Sequence, residues 1–513
     1  MIPMPETYQP YADGRRVDFG FSFGVVAVDA AELARPSSSA QYLESQIEQT
    51  HDGIEEASGK YTTLEHNMWV LDGTMELYPD DLQDVQTGWI SEAISGEDGV
   101  YTDDVHLTFD FSEPQDSYGL TFVFDERLSD NLPAEMKIIF YDSSGGVLLE
   151  KIGTPTVFYY WIDAPVQGYS SVRIDFLSTK IPGRRIRVLE VIFGIITEYN
   201  RRTIVNASDQ QSIDLLSESL PSAQVTVKID NQDRRYNLLN PQSIYAYLQS
   251  GQYINYWYVI GGQRIDAGIR YFYTAESDDD GMTASITFND RLIFLEDIIF
   301  NGGASGTWDL QEAVTAILTA ASIDTTPVFD DSLGAVVIRK CIPQDTDCRE
   351  ALRLCAQAAM CVCYIDKNDA PHFSRPVLKD IPDEQLTRHR IKNDPKVVIG
   401  DRYNAVTIRR TDSYTEGAEE ETYTLSVAEK GDIVLTKEIS NDLVNDMAAW
   451  AEWALPWIQR RISLDIDYRG NPALEIGDTV QVFDSFGVNG MSLIESHDLS
   501  FNGGLSGAIK ARR

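Results

Sequence analysis

The chain is short of the residues that most often announce a chemistry. Its 513 residues hold six histidines, five cysteines and 42 Lys and Arg against 80 Asp and Glu, a formal net charge of -38. So few cations argue against a protein that wraps DNA, because such binding needs basic groups that displace counterions from phosphates. An acidic wall would still let DNA slide past without sticking. No apolar run reaches the roughly 18 residues of a membrane-crossing helix. The start, MIPMPETYQPYADGRR, has neither a basic first segment nor an apolar stretch before a cleavage site. A soluble protein that no ordinary signal peptide exports is expected.

Catalytic patterns are missing as well. His51, His66, His106, His372, His389 and His497 form no H-E-x-x-H, and the chain has no G-x-S-x-G elbow, no phosphate-cradling loop and no cysteine in a nucleophile context. Eighty carboxylates could hide an acid/base pair, but abundance is not a site. No enzyme and no cofactor are expected, with a cell-wall hydrolase kept as a rival.

The cysteines lie between Cys341 and Cys363, an odd number that suits a reducing compartment better than a disulfide framework. In DTDCREALRLCAQAAM, Cys348, Ala351, Leu352, Cys355 and Ala359 recur at helical spacing, while Cys361, Cys363 and Ile365 alternate on the next strand. Helix and strand should face each other through their thiols. A four-thiolate zinc site is the alternative, but the paired C-x-x-C knuckles are absent.

At this length three or four domains are the prior. Strand signals dominate: VDFGFSFGVVAV, HLTFDF, LTFVFDE, EMKIIFYD, VRIDFL, RIRVLEVIFG and AQVTVKID carry β-branched or aromatic residues between Gly, Asp, Ser and Pro. Besides the cysteine helix, one helix should follow a Thr307 cap with Leu310, Val314, Ile317 and Ala321 as its stripe. Another should run from about Ser440 to Leu455, stopped by Pro456. RPSSSAQ, from Arg35 to Gln41, reads as a linker. The acidic stretch from Thr411 to Thr424 reads as a solvated hairpin tip, with a calcium site as the alternative that lacks a loop of defined spacing.

Two stretches share a pattern of glycine, strand, turn, strand, turn, strand. One starts at Gly251 with GQYINYWYVIGG and ends in GMTASITFND; the other starts at Gly477 with GDTVQVFDSFG and ends in GLSGAIKAR. Two similar small barrels are expected.

The order and spacing of the residues around these stretches resemble the baseplate or tail-tip hub proteins of tailed bacteriophages and related particles. The residues that carry the resemblance are Asp230, Asn231, Tyr236, Asn237, Pro241, Gly251 and Asp290, then Asn471, Pro472, Gly477 and Asp478. It covers about residues 197–513. The resemblance implies a mainly β fold with α+β parts: two tube-forming barrels plus smaller α/β domains. It further implies a homotrimer in which six barrels surround a channel that continues a sixfold tail tube. Implied partners are a distal tail or tube protein and a central fibre, tape-measure or other baseplate protein. The place is a virion tail tip assembled in a host bacterial cytoplasm. Acidity suits such a lumen, since carboxylates repel passing phosphates over a Debye length of about 8 Å; a plain solubility role is the equal alternative.

The stretches KYTTLEHNMWVLDG, TGWISEAISGEDGVYTDD, SYGLTFVFDE and GRRIRVLEVIFG resemble the strands of a galactose-binding-like jelly roll inserted in the hub. The resulting divisions are 1–39 for the opening strand and linker, 40–194 for the β-sandwich insertion, 195–300 for the first barrel, 301–395 for an α+β domain with the cysteine helix, and 396–513 for the second barrel with its helix at 440–455. Trp69, Tyr78, Trp89, Tyr101, Tyr118 and Trp161 are candidate faces for a sugar ring, with Asp72, Glu97 and Asp98 as acceptors for its hydroxyls. Aromatics in a small sandwich are more often core. A carbohydrate-binding adhesin is therefore the main rival to a structural hub, and a host-surface glycan a candidate partner.

Overall fold

The computed structural model describes residues 17–513 apart from 27, 56, 59–62, 64, 66–67, 69–72, 74–84, 126–131, 233, 235, 238–239, 241–247, 249–250, 261–262, 279–280, 303–305, 324, 412–418, 430–432 and 486. The chain divides into two compact units, Met1–Phe21 with Tyr199–Arg513, and Ser22–Glu198. It is mainly β. The opening strand β1 (Asp18–Val26) begins in the first unit, and the chain then forms the second.

The second unit is built from α1 (Val28–Leu33), β2 (Ala34–Ser38), β3 (Trp89–Ile90), β4 (His106–Phe124), β5 (Pro133–Tyr141), β6 (Val147–Gly153), β7 (Tyr159–Thr179) and β8 (Arg187–Ile192). Its strands follow the order β3-β8-β4-β7-β5-β6, with β2 on β4. HLTFDF and LTFVFDE, which read as separate strands, are the two ends of β4. Between them the pairing with β7 shifts register at Asp110/Gln115, Gln115/Ser117 and Ser117/Gly119. Such bulges bend a strand without ending it. The first end of β4 therefore lies beside β2 and the second beside β8, and the sheet folds into two layers. Trp89 of β3 stacks on Phe176 of β7 at 5.5 Å, and Phe109 of β4 meets Phe193 edge-on at 5.2 Å, which fills the space between the layers. RPSSSAQ is no linker at its start: Arg35–Ser38 lies in β2. Small polar side chains do not prevent main-chain pairing, and Pro36 is tolerated because β2 is an edge strand.

The chain returns through β9 (Gly194–Tyr199) and continues as β10 (Ile204–Ser212), β11 (Gln224–Asp230), β12 (Tyr253–Ile260), β13 (Gln263–Ser277) and β14 (Thr283–Asn289). Next come β15 (Thr307–Asp309), α2 (Leu310–Ala320), β16 (Val328–Phe329), β17 (Val337–Arg339), α3 (Cys348–Ala358), β18 (Val362–Ile365) and β19 (Pro371–Ser374). The last part holds β20 (Glu384–Leu386), β21 (Lys396–Ile399), β22 (Ala405–Thr411), β23 (Glu420–Ser426), β24 (Thr436–Ser440), α4 (Met447–Gln459), β25 (Ile462–Tyr468), β26 (Thr479–Asp484), β27 (Gly487–Phe501) and β28 (Leu505–Arg512).

The first sheet curls on itself: Phe21 of β1 meets Phe288 of β14 at 5.6 Å although β12 and β13 lie between those strands in the sheet. The close approach of Trp257 to β1 requires Gly20, where a Cβ would sit 2.4 Å from the indole nitrogen. The second sheet likewise encloses its own core of Leu386, Leu464, Ile466, Val480, Val482, Ile494 and Ile509.

Helices α2, α3 and α4 share a third core with Val406 and Ile408 of β22. The stripe Leu310, Val314, Ile317 and Ala321 is buried there. Thr307 does not cap α2; it lies in β15, and Asp309 occupies the cap position. The expected helix at 440–455 starts at Met447 and ends at Gln459, because the Asp446 carboxylate caps it by accepting from the N–H of Ala448 and Ala449, both at 3.0 Å. Pro456 does not stop it. The single main-chain bond a proline removes is offset by burial of Trp450, Leu455 and Trp457. The segment from β22 to α4, expected within the second barrel, thus packs with the cysteine helix. Asn441 ties it there: its amide donates at 3.0 Å to the Leu354 carbonyl and to Gln357 Oε1. β22 and β23 pair as a hairpin, and the tip of the acidic stretch lies outside the described residues.

Candidate functional site

The two look-alike stretches are the same meander twice. β12, β13 and β14 pair in sequence, as do β26, β27 and β28, and in each case the strand follows a glycine of positive φ, Gly251 at 89° and Gly477 at 82°. The likeness extends further than the sequence indicated. Apart from β9, which pairs on the outer side of β1, the first sheet runs β1-β12-β13-β14-β11-β10, and the second runs β20-β26-β27-β28-β25-β21. Ranked by chain position within each set, both read first, fourth, fifth, sixth, third, second. Even the irregularities coincide: β13 shifts register against β14 between Phe272 and Thr274, β27 against β28 between Ile494 and Ser496.

The hub-motif residues build the turns of these meanders. Asn231 is buried; its amide donates to the Gly281 carbonyl at 3.0 Å and its oxygen accepts from the Tyr236 N–H at 3.0 Å. The hydroxyls of Tyr236 and Tyr199 are hydrogen-bonded to each other. Asp230 is exposed and accepts from the Gln232 N–H, and the Asn237 N–H donates to the Arg234 carbonyl. Buried Asp290 accepts from the N–H of Ala223 at 2.7 Å and of Leu292 at 3.0 Å, so it closes one turn and caps the next. In the second sheet Asn471 accepts from the Ala473 N–H at 3.1 Å, Pro472 is buried beside it, and Asp478 accepts from the Glu475 N–H at 2.9 Å. Burial pushes the carboxyls of Asp290 and Asp478 up from the ordinary aspartate value. Pro241 lies outside the described residues.

The two sheets join edge to edge. β10 of the first pairs antiparallel with the later half of β27, from Ala207↔Phe501 to Ser212↔Ser496. Under this joint Asp209 accepts from the hydroxyls of Tyr256 and Tyr258. Tyr258 stacks on Phe501 at 5.4 Å, and Tyr468 shares a 2.6 Å hydrogen bond with His497 Nε2. Burial pushes the His497 imidazole down to about 4, so it is neutral near pH 7. Sequence reading passed over this cluster. Its members come from four strands, and only the alternation of Tyr256 with Tyr258 signalled a shared face.

The other face of the joined sheet is polar. One row of direct cross-strand neighbours reads Thr274, Thr287, Thr226, Ser208, Ser500 and Ser506. A second reads Asn289, Gln224, Gln210, Asp498, Ala508 and Asp467. Glu276 and Asp465 lie on the same face, as do Lys228 and Lys510, by the alternation of strand side chains. Neither row holds a large apolar residue over these positions; past Asn289 the second row continues to Tyr271 and Tyr253. This face presents hydroxyls, amides and scattered carboxylates.

In the second unit the proposed sugar contacts divide. Trp89 is 0% exposed and stacked on Phe176, and Tyr101 is buried with its hydroxyl donating to the Arg184 carbonyl at 2.8 Å. Neither ring presents a face, which corrects the expectation for both: each fills the sandwich interior. Asp98 is exposed, but accepts from the Val100 N–H at 3.0 Å. Glu97 and Tyr118 are exposed and Trp161 half-buried. Trp69, Asp72 and Tyr78 lie outside the described residues. The sequence reading missed buried Glu65, which accepts from Arg187 Nη1 at 3.0 Å, from the Arg185 N–H at 2.8 Å and from Thr63 Oγ1 at 2.8 Å. Burial raises the Glu65 carboxyl, yet Arg187 outweighs it and holds the group below the ordinary range.

The five cysteines are buried free thiols. Burial pushes Cys355 up to about 12, and Cys361 and Cys363 higher, which keeps them protonated and inert. Among the described residues no group of three or more His, Cys, Asp and Glu is placed to hold a metal ion, and no helix is long and apolar enough to cross a membrane.

No protein-family model matches the chain, and no curated protein does. Among solved structures it is similar to a tail protein from Neisseria meningitidis, at 13% identity over 61% of this chain and 93% of that one, TM-score 0.45. It is also similar to the 43 kDa tail protein of a prophage of Shewanella oneidensis, at 16% identity over 62% and 96% of the two chains, TM-score 0.44. A fucose-binding module from Streptococcus pneumoniae is similar at 14% identity over 32% of this chain and 93% of that one, TM-score 0.21.

Proposed function

We propose that the chain is a structural hub of a phage or phage-like tail tip. The observation that carries this reading is the duplication: two sheets that share six strands in one order, joined edge to edge so that a single polar face runs across both. One chain thus supplies two near-equivalent sectors of a ring. Three chains supply six, which matches a sixfold tube and suits the hub resemblance in the sequence. Hydroxyls, amides and carboxylates on this face outnumber its two lysines, Lys228 and Lys510, and Lys228 is paired with Asp278 at 2.7 Å, so the duplex would meet few free cations and pass without being held. Glu276, Asp465, Asp467 and Asp498 are the carboxylates we assign to the lumen.

The partners under this reading are two further copies of the chain, a tail tube or distal tail protein at one end, and a fibre, tape-measure or baseplate protein at the other. The protein would act at the tail tip of the virion after assembly in the host cytoplasm. The sandwich serves contact with the host surface or a neighbouring baseplate protein. No catalytic role is assigned. Mass measurement of the full chain, alone and with tube protein, tests the ring. Three-copy assemblies of sixfold appearance in electron micrographs are expected, and a monomer under both conditions would overturn the proposal. A glycan array probed with the full chain tests the adhesin reading, which tight and selective binding would favour.

A further inference from the structure

Two small cavities flank one side chain beneath the joint. Gln211 of β10 lies on the same side of its strand as Asp209, two residues earlier, and so points away from the polar face. One cavity, of about 20 Å³, is lined by Gln211, Arg270 of β13, Asp366 and Lys367 in the β18–β19 turn, and Glu475 in the turn before β26. The other, of about 10 Å³, is lined by Gln211, Asp209, Tyr258, Pro472 and His497. A space of about 10–15 Å³ with two or more polar partners admits one water.

Each cavity is lined by a buried side chain that is short of a partner. Arg270 is 2% exposed; its Nη1 donates to the Ile269 carbonyl at 2.8 Å, while its Nε has no partner among the described residues. Asp209 is likewise 2% exposed. Its Oδ2 accepts both tyrosine hydroxyls, while its Oδ1 has no partner among the described residues. An arginine stays charged wherever it is placed, and a buried donor or acceptor left unmatched is costly.

We infer that each cavity is a site for one ordered water, and that the two waters complete a hydrogen-bonded relay from Arg270 through Gln211 to Asp209. Arg270 Nε donates to the first water, which donates to Gln211 Oε1. Gln211 Nε2 donates to the second water, which donates to Asp209 Oδ1. Every donor in this chain meets an acceptor, and every bond points from the cation towards the anion, so the bonds polarise one another in one sense. The order also fixes the Gln211 amide, with its oxygen towards Arg270 and its nitrogen towards Asp209.

Charge and size select water over an ion. Around the first cavity two cations, Arg270 and Lys367, stand against two carboxylates, Asp366 and Glu475, which leaves no net charge to recruit a halide or a metal. The second is too small for anything larger than water. The relay draws together β10 and β13 of the first sheet, the β18–β19 turn and the second sheet's turn before β26. It lies within one chain and is independent of how many copies assemble.

The test is a structure of the full chain at a resolution that shows ordered water, with bromide as the only halide present. Water is expected within hydrogen-bond distance of Arg270 Nε and Gln211 Oε1, and again of Gln211 Nε2 and Asp209 Oδ1, with no anomalous signal at either. A direct contact between Arg270 and Asp209, a cavity without density, or a bromide peak beside Arg270 would overturn the inference. Coupling supplies a second arm. Hydrogen exchange in the β10 and β27 peptides reads the opening of the joint in Arg270→Met, Asp209→Asn and the double variant. With Gln211 in place the two changes should be coupled by about fivefold or more in the opening equilibrium, and they should become additive once Gln211→Met removes the amide at similar side-chain length. Coupling that survives Gln211→Met would also overturn the inference. Where a variant does not fold, the water positions in the native chain decide.

Discussion

Between β10 and β27, buried Asp209 is met by two tyrosine hydroxyls while His497 beside it stays neutral; inside the sandwich, buried Glu65 is met by the Arg187 guanidinium, and buried Glu190 by little more than the Gly53 N–H at 3.3 Å. The joint handles its polar groups by sharing protons among neutral partners. The sandwich interior relies on a buried ion pair and on protonation: burial, reinforced by Asp52, pushes Glu190 up to about 9. Glu190 Oε2 is buried without a hydrogen-bond partner. His497 and Glu190 should therefore answer pH in opposite senses.

The strongest way to break this contrast is Arg187→Leu, which strands the Glu65 carboxylate. Loss of one partner of a buried pair costs about 3–5 kcal/mol. Hydrogen exchange on the full chain should show it as lost protection confined to peptides within 22–198. An equal loss in the barrels would show that the units do not respond separately.

Next comes acid. His497 titrates near 4 when folded against 6.5 unfolded, so the unfolded chain binds the extra proton in between. The contribution of His497 is whole above pH 6.5 and lost as pH falls through 4, about 3 kcal/mol in total. Replacing the imidazole in His497→Gln should flatten that slope in denaturant titrations of the barrels, whatever it does to stability at pH 7.

Glu190 has the reverse sign. Its folded value lies above the unfolded 4.5, so its contribution is whole below pH 4.5 and fades as pH rises towards 9. Glu190→Gln should stabilise the sandwich by about 2 kcal/mol at pH 7 and have little effect at pH 4. Destabilisation at pH 7 would mean the carboxyl is ionised in the fold.

The smallest effect is expected on the polar face. Thr226→Ala should change stability by less than about 0.5 kcal/mol, since it removes only a 3.5 Å contact with Thr287. A larger loss in chemical denaturation would assign that row a structural duty.

Sequence carried the repeated meander and the cysteine helix because each is local: alternation, turn glycines and a helical stripe lie within about forty residues. It carried the sandwich less well. β4 contains Pro114 and Gly119, both ordinary stop signals, and continues because bulges against β7 absorb the irregularity over a distance no window spans. The buried aromatics show the limit for site residues. Trp89 and Tyr101 have the chemistry of a sugar platform, and only the opposing layer, with Phe176 and the Arg184 carbonyl, assigns them to the interior. The full strand order was illegible for the same reason: β20 and β21 are too short to stand out, and the segment from β22 to α4 separates them from β25.

The matched strand orders also locate a vacant port. The first barrel admits an entire folded unit between its first and second strands, β1 and β10, whereas the second barrel bridges the equivalent gap, from Leu386 to Lys396, with a short turn. If that connection is permissive in one copy of the design it should be permissive in the other, and a foreign domain spliced there should leave the melting temperature of the barrels within a few degrees of its original value. Each chain would then offer two grafting points, and the three-copy ring proposed above would offer six.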